Sequence, residues 1–272
     1  MRAFWVWLGY VCLILGLTLT MFVFLMVNLF PNTTDKYLRK IKKSVQTFFY
    51  PKKPTRYISF GVMMPDYKIH GIDVSVYQRN IDWKEVKNMK IGNDSLNFVF
   101  IKATEGTTYK DKAFAYNWEQ AEKVGMLKGA YHYFKPDKDG KKQAEHFIKI
   151  AKLKKGDLPP VLDIEELGEE NSLSELKKEL KIFLNTLEKK YKVKPIIYSS
   201  RNFFDAHLGK DFTDYPLWVA QYKNISPPKL KTHTWTFWQH SAEAQINGID
   251  VPVDLNVFKG EMQELMELRI KH

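Results

Sequence analysis

Leu158-Pro159-Pro160-Val161-Leu162-Asp163-Ile164-Glu165-Glu166 is the stretch from which the rest of the chain can be read. An apolar run led in by prolines and closed by acids reads as a strand leaving a core, because Val, Leu and Ile suit a buried pleated position and carboxylates do not. Side chains alternate along a strand, so Asp163 and Glu165 share one side while Glu166 points to the other and into solvent. Two carboxyls held that close cannot both ionise easily. One pKa is pushed upward, which sets a proton donor beside an anion near neutral pH. The plainer reading, that Asp-x-Glu only closes a strand and caps the following helix, stands beside it.

Outward from this strand, strand-like and helix-like segments alternate from Tyr67 onward. Strands are predicted at 68–75, 97–103, 128–134, 160–165, 195–199, 216–221, 234–240 and 253–258, with helical patterns at 113–124 and 141–153. The clearest helix is 172–191. Ser172 and Glu175 form a capping-box pattern, and Leu173, Leu176, Leu180, Leu184, Leu187 and Tyr191 make one apolar stripe that reads as core. Alternation of this kind argues for parallel strands with crossover helices, in an open doubly wound sheet or a closed barrel. Connections near 201–208 and 223–231 are too short for full helices, so a barrel would be irregular.

A barrel gathers its site at the C-terminal ends of its strands. Those ends carry Asp73, Lys102 with Glu105, Tyr131 with Tyr133, Asp163 with Glu165, Tyr198, Trp218 with Gln221, Gln239, and Asp254. Acids surrounded by aromatic rings and amides describe a groove for a polyhydroxylated ring and a bond whose cleavage needs protonation. Several of these residues also have plainer readings. Lys102 suits an ion pair with Glu105 or another site acid as well as a substrate contact. Tyr133 suits filling of the barrel mouth, Trp218 and Trp238 suit the core, and His132 alternates to the opposite face as a packed histidine.

These residues carry a resemblance. Gly71-Ile72-Asp73-Val74-Ser75 with Gln78 and Ile81-Asp82-Trp83, then Phe100-Ile101-Lys102-Ala103-Thr104-Glu105-Gly106, Gly129–Phe134, Leu162–Glu165, and Trp235–Gln239 with Val253-Asp254-Leu255-Asn256 follow in the order found in glycoside hydrolase family 25 lysozymes. The resemblance covers essentially all of residues 67–260. It implies an irregular β/α (TIM-like) barrel and N-acetylmuramidase activity on the β-1,4 bonds of peptidoglycan glycan strands, without cofactor. By the matching Asp-x-Glu motif, Glu165 would be the general acid and Asp163 its partner; Asp73 and Asp254 match the family's other two acids. Tyr131, Tyr198, Trp218, Gln221, Gln239, Lys102 and Glu105 are the expected substrate contacts. Asp163 would raise the pKa of Glu165 or orient the substrate's 2-acetamido group as internal nucleophile, with a role for Asp73 or Asp254 as nucleophile or base left open. Other readings are a glycosidase acting on a chitin-like polymer and a non-catalytic glycan-binding module.

The 272 residues are 44% apolar and 14% aromatic, enough for a sizeable core, and carry a net charge of +11. That charge favours anionic partners, but much of the excess lies before Tyr67 and no recognition motif accompanies it, so nucleic acid is not expected. Cys12 is the only cysteine and the seven histidines show no zinc spacing, so neither a disulfide framework nor a metal is expected. Residues 4–30 hold no charged side chain. At roughly 1.5 Å per residue such a helix crosses a bilayer core. No small-residue cleavage site follows it. The expected order is a tail at 1–3, a transmembrane signal anchor at 4–30, a basic stalk at 31–66 and a monomeric catalytic barrel at 67–272, facing the periplasm or the exterior. The basic residues after the span argue for the opposite orientation by the positive-inside rule.

Overall fold

The computed structural model describes residues 67–91, 94–169, 172–222 and 226–272. Among them no helix is long and apolar enough to cross a membrane; the apolar run 4–30 and the stalk 31–66 lie outside them. Eight strands carry the fold: β1 (His70–Val74), β2 (Asp94–Glu105), β3 (Leu127–Tyr133), β4 (Val161–Asp163), β5 (Ile196–Ser200), β6 (Leu217–Ala220), β7 (Phe237–Ala244) and β8 (Val253–Phe258). From β1 to β7 each pairs in parallel with the next. β8 runs antiparallel to both β7 and β1, and this closes the barrel. The sheet is therefore closed rather than open, and its irregularity lies in one reversed strand as well as in its short connections. Two-residue strands at Lys90–Ile91 and Tyr109–Lys110, not expected from the sequence, extend the edges of β2.

Crossovers are made by α1 (Trp83–Asn88), α2 (Phe114–Lys123), α3 (Gly140–Ala151) and α4 (Leu173–Tyr191), and α5 (Met262–Glu267) follows the last strand. The Ser172–Glu175 capping box forms as expected. Leu176, Leu180, Leu184, Leu187 and Tyr191 are buried with Phe183, whereas Leu173, placed in the stripe by its spacing, is exposed at the first turn. Between β5 and β6 the chain makes only short helical turns over Arg201–Phe212.

Two apolar layers result. One packs the outer faces of the strands against the helices. The other fills the lumen with Phe98, Phe100, Val161, Ile196, Trp218, Phe237 and Phe258, and Leu265 of α5 plugs its lower end. Glycines on inward positions make room for these rings. A Cβ on Gly71 would stand 2.4 Å from the Phe98 ring, and one on Gly129 would stand 2.6 Å from Phe100 and 3.0 Å from Leu158. Gly129→Ala is expected to cost about 1–3 kcal/mol by overpacking, measured as a lowered urea midpoint.

His132 faces the outer layer. Its Nε2–H donates to Gln143 Oε1 at 3.1 Å, and its Nδ1 accepts from the Thr104 hydroxyl at 2.7 Å. Gln143 Oε1 also accepts from the Lys135 amide, so it is an acceptor, and this fixes the imidazole tautomer. Burial pushes the His132 pKa down to about 3, so the ring is a neutral structural element.

Candidate active site

The upper rim collects the side chains named from the strand ends. Asp254 opens the reversed strand β8, so it reaches the same rim as residues that end parallel strands. It sits directly opposite Asp73 in the β1–β8 register. Tyr133 pairs with Asp163, and Asp163 with Tyr198, across β3, β4 and β5.

Asp73 is buried and is gripped by two amides. Its Oδ2 accepts from Gln239 Nε2 at 2.9 Å and from Asn256 Nδ2 at 2.7 Å. Both amides are oriented by donors behind them. Trp218 Nε1–H donates to Asn256 Oδ1 at 2.7 Å, and an indole can only donate, so the Asn256 amino group must face Asp73. The hydroxyls of Tyr198 and Tyr222 donate to Gln239 Oε1 at 2.7 and 2.6 Å, which turns its amino group the same way. Burial, then repulsion from Asp254, raises the Asp73 pKa well above the usual carboxylate range despite these bonds.

Asp163 and Glu165 divide their roles by depth. Asp163 is buried, and its Oδ1 has no hydrogen-bond partner. Glu165 lies beyond the strand end and is exposed to the groove. Their carboxyls lie within hydrogen-bonding reach of one another. Burial, then the Glu165 charge, holds the Asp163 pKa well above its usual value, and partial burial raises that of Glu165. Both carboxyls thus hold a proton more tightly than a free acid does, one of them buried and the other accessible.

Lys102 Nζ bonds Glu105 at 2.7 Å and also lowers the pKa of both Asp163 and Glu165, so the ion pair sits beside the acids. Lys135 joins Glu105 at 3.4 Å and Glu166 at 3.1 Å. The Tyr133 ring lies within reach of both cations, 4.8 Å from Lys102 and 4.6 Å from Lys135. Glu166, expected to be solvated, is exposed and pairs there with Lys135.

Asp73, Asp163, Glu165 and Asp254 form one electrostatic group, with Tyr131 half-buried among them. Two expected contacts sit elsewhere. Trp218 is only 2% exposed and stacks on Phe100 at 4.6 Å, so its ring is directed down into the packed lumen rather than out to the mouth. Gln221 directs its amide to the Ser226 carbonyl, since strand alternation turns it away from the lumen that Ala220 faces. Asn256 and Tyr222 were not singled out as site residues. Asn256 was legible as the position two beyond Asp254 on the same strand face, whereas Tyr222 lies past the end of β6, where no periodicity points to it. Ser75 and Gln78 of the first motif cap each other and the turn after β1, and so shape the rim.

Burial, then the Glu165 charge, raises the Asp254 pKa from 3.8 to about 6. A carboxyl that holds its proton more tightly when folded weakens the fold as pH rises through the interval between its two pKa values. Stability should therefore fall between about pH 4 and pH 6, and Asp254→Asn should flatten that slope and raise stability at neutral pH by about 1–3 kcal/mol. Thermal melts of both proteins across this interval test it.

Paired acids of differing exposure at the mouth of a β/α barrel, beside rings and oriented amides, define a glycoside hydrolase. The family model for glycosyl hydrolases family 25 matches residues 72–249, and the chain belongs to that family. The chain is 40% identical over 242 residues to the YegX protein of Escherichia coli (strain K12), covering 88% of each. It is 33% identical over 214 residues to lysozyme M1 of Streptomyces globisporus, covering 74% of this chain and 71% of that one. Among solved structures, a family 25 glycosyl hydrolase from Bacillus anthracis superposes with a TM-score of 0.69 at 33% identity, covering 79% of this chain and 98% of that one.

Proposed function

We propose that this chain is a membrane-tethered N-acetylmuramidase that hydrolyses the β-1,4 bond between N-acetylmuramic acid and N-acetylglucosamine in peptidoglycan. The observation that carries the reading is the pairing of an accessible Glu165 with a buried Asp163, both with raised proton affinity. The similarity to lysozyme M1 and to the N,O-diacetylmuramidase of Chalaropsis supports the substrate class.

The glycosidic oxygen is a poor leaving group until protonated. Substrate covering Glu165 raises its proton affinity, and the pair's proton moves onto the carboxyl that can reach the bond. Asp163 is left as the anion beneath Glu165, buried and out of contact with solvent. A substrate-assisted route, in which the acetamido oxygen attacks the anomeric carbon while Glu165 protonates the leaving oxygen, fits this pair. Asp73, held by Gln239 and Asn256, and Asp254 frame the opposite wall. Tyr131, Lys102 and Glu105 serve as the substrate-facing set, while Tyr198 and Gln239, buried beneath them, orient Asp73.

The tether is residues 4–30, the stalk 31–66 and the catalytic barrel 67–272. The YegX match is longer than the stretch from 67 to 272, so the similarity reaches into the stalk. Product analysis after digestion of purified peptidoglycan tests the activity: new reducing ends on muramic acid support it. Reducing ends on glucosamine or cleavage of chitin oligomers alone would assign another glycosidase, and binding without turnover would reduce the barrel to a glycan-binding module. Protease shaving of intact cells, with the barrel expected to be accessible from outside the cytoplasm, tests the topology.

A further inference from the structure

The two ends of the barrel carry opposite chemistry. The carboxyls described above occupy the upper end. Crossover helices run antiparallel to the strands, so α3 and α4 finish at the lower end, where β1 begins and the chain arrives from the stalk. Tyr191, the last residue of α4, lies against the Leu153 backbone just past the end of α3, so the two helix ends are neighbours. Lys152, Lys155, Lys189, Lys190 and Lys192 are all exposed there. Lys152 and Lys192 stand in the left-handed conformation, with φ of 48° and 57°, where glycine is the ordinary occupant and a side chain is strained.

The C-terminal segment joins the same surface. Ile270 exchanges backbone hydrogen bonds with Gly156 and Asp157, which sets Arg269 and Lys271 beside the Lys154–Lys155 loop. The preceding helix α5 plugs the lumen with Leu265 and turns Met262 and Met266, one helical turn apart, to solvent at 41% and 38% exposure. Of the acids at this end, Glu122 pairs with Lys154 and Glu188 with Lys194, while Glu261, Glu264 and Glu267 stay charged on α5, the first two capping the helix and the third accepting from Gln263.

We propose that this lower end is a docking surface for an anionic lipid bilayer, with the lysines on headgroup phosphates and the two methionines entering the interface. Unbranched apolar side chains at the same barrel end as a cluster of exposed lysines fit that boundary, whereas a soluble polyanion would have no use for the methionines. The consequence is orientation. With its lower end on the membrane, the barrel points the catalytic groove away from the lipid. The surface is independent of the hydrolytic reading, because none of its residues lies at the groove.

The test uses the full chain carrying Cys12→Ser and one fluorophore, at Met262→Cys or, as control, at Tyr77→Cys, which is 64% exposed just past the upper end of β1. The labelled chain is mixed with vesicles of phosphatidylglycerol and phosphatidylethanolamine, or of phosphatidylcholine alone, containing a lipid-borne quencher. The Met262 label should be quenched on the anionic vesicles and the Tyr77 label should not. Quenching should drop about tenfold in phosphatidylcholine, in high salt, or with Lys154, Lys155, Lys189 and Lys190 all replaced by Glu. Equal quenching at the two positions, or no dependence on lipid charge, would overturn the proposal. So would a Met262 label that responds to soluble polyphosphate but not to vesicles. Glu165→Gln in the same assay should leave the quenching unchanged, which separates failure of this surface from failure of the hydrolytic reading.

Discussion

Glu165→Gln is expected to lower turnover on peptidoglycan by about 10²–10⁴-fold with an unchanged thermal melt. The amide keeps the shape and the capacity to hydrogen-bond Asp163, and the exposed position carries no packing, so only the transferable proton is lost. KM should move little, because the missing interaction belongs to the transition state rather than to binding. Asp163→Asn is the informative companion. In the parent enzyme, burial of both carboxyls and the Glu165 charge acting on Asp163 hold the pair's last proton above the ordinary carboxylate range, so the alkaline limb of kcat/KM reports the loss of that proton from the pair. Without the partner charge, Glu165 gives up its proton at lower pH, and the alkaline limb should shift toward acid. Full activity and an unmoved pH profile in both variants would sink the assignment of these residues. The kinetics and the melts are measured on the same preparations.

The second large effect is structural. Phe100→Ala should cost about 3–5 kcal/mol, because the ring fills the lumen and the cavity left between rigid strands cannot collapse. Phe100 also supports the site. It stacks on Trp218, Trp218 orients Asn256, and Asn256 holds Asp73. The variant should therefore lose kcat as well as urea midpoint, with activity reduced even in conditions where it remains folded. Phe237→Ala opens the same core and also packs edge-on against Phe100, so it calibrates the stability cost. Trp218→Phe keeps most of the packing but loses the indole donor, and isolates the positioning effect of the Asn256 bond. Equal kcat in Trp218→Phe and the parent would show that the floor supports the fold only.

Legibility in the sequence tracked how local the governing physics was. The strand and helix order, the capping box at Ser172 and the closeness of Asp163 and Glu165 follow from side-chain alternation, apolar periodicity and end-capping, each decided within a few residues. The same alternation placed His132 outside the barrel. What failed or went unseen depended on depth and on chain reversal. Trp218 and Tyr198 are direct partners across β5 and β6 and both are buried in the lumen, so what separates them is the bond each makes: the indole orients Asn256 and the phenol orients Gln239. Glu166, assigned to solvent by alternation, is exposed, and its ion pair with Lys135 of another loop is the part that the local pattern could not show.

The sequence by itself determined the order of the eight main strands and the longer helices between them, and that two acids two positions apart lie together where one strand ends. The tertiary structure alone decided that the sheet closes through a reversed last strand, which brings Asp254 opposite Asp73. It also decided which of the paired acids is sealed and which is open. The physical reason is that backbone preference is set by neighbours along the chain, whereas burial, and with it proton affinity, is set by whatever the closed barrel packs around a side chain.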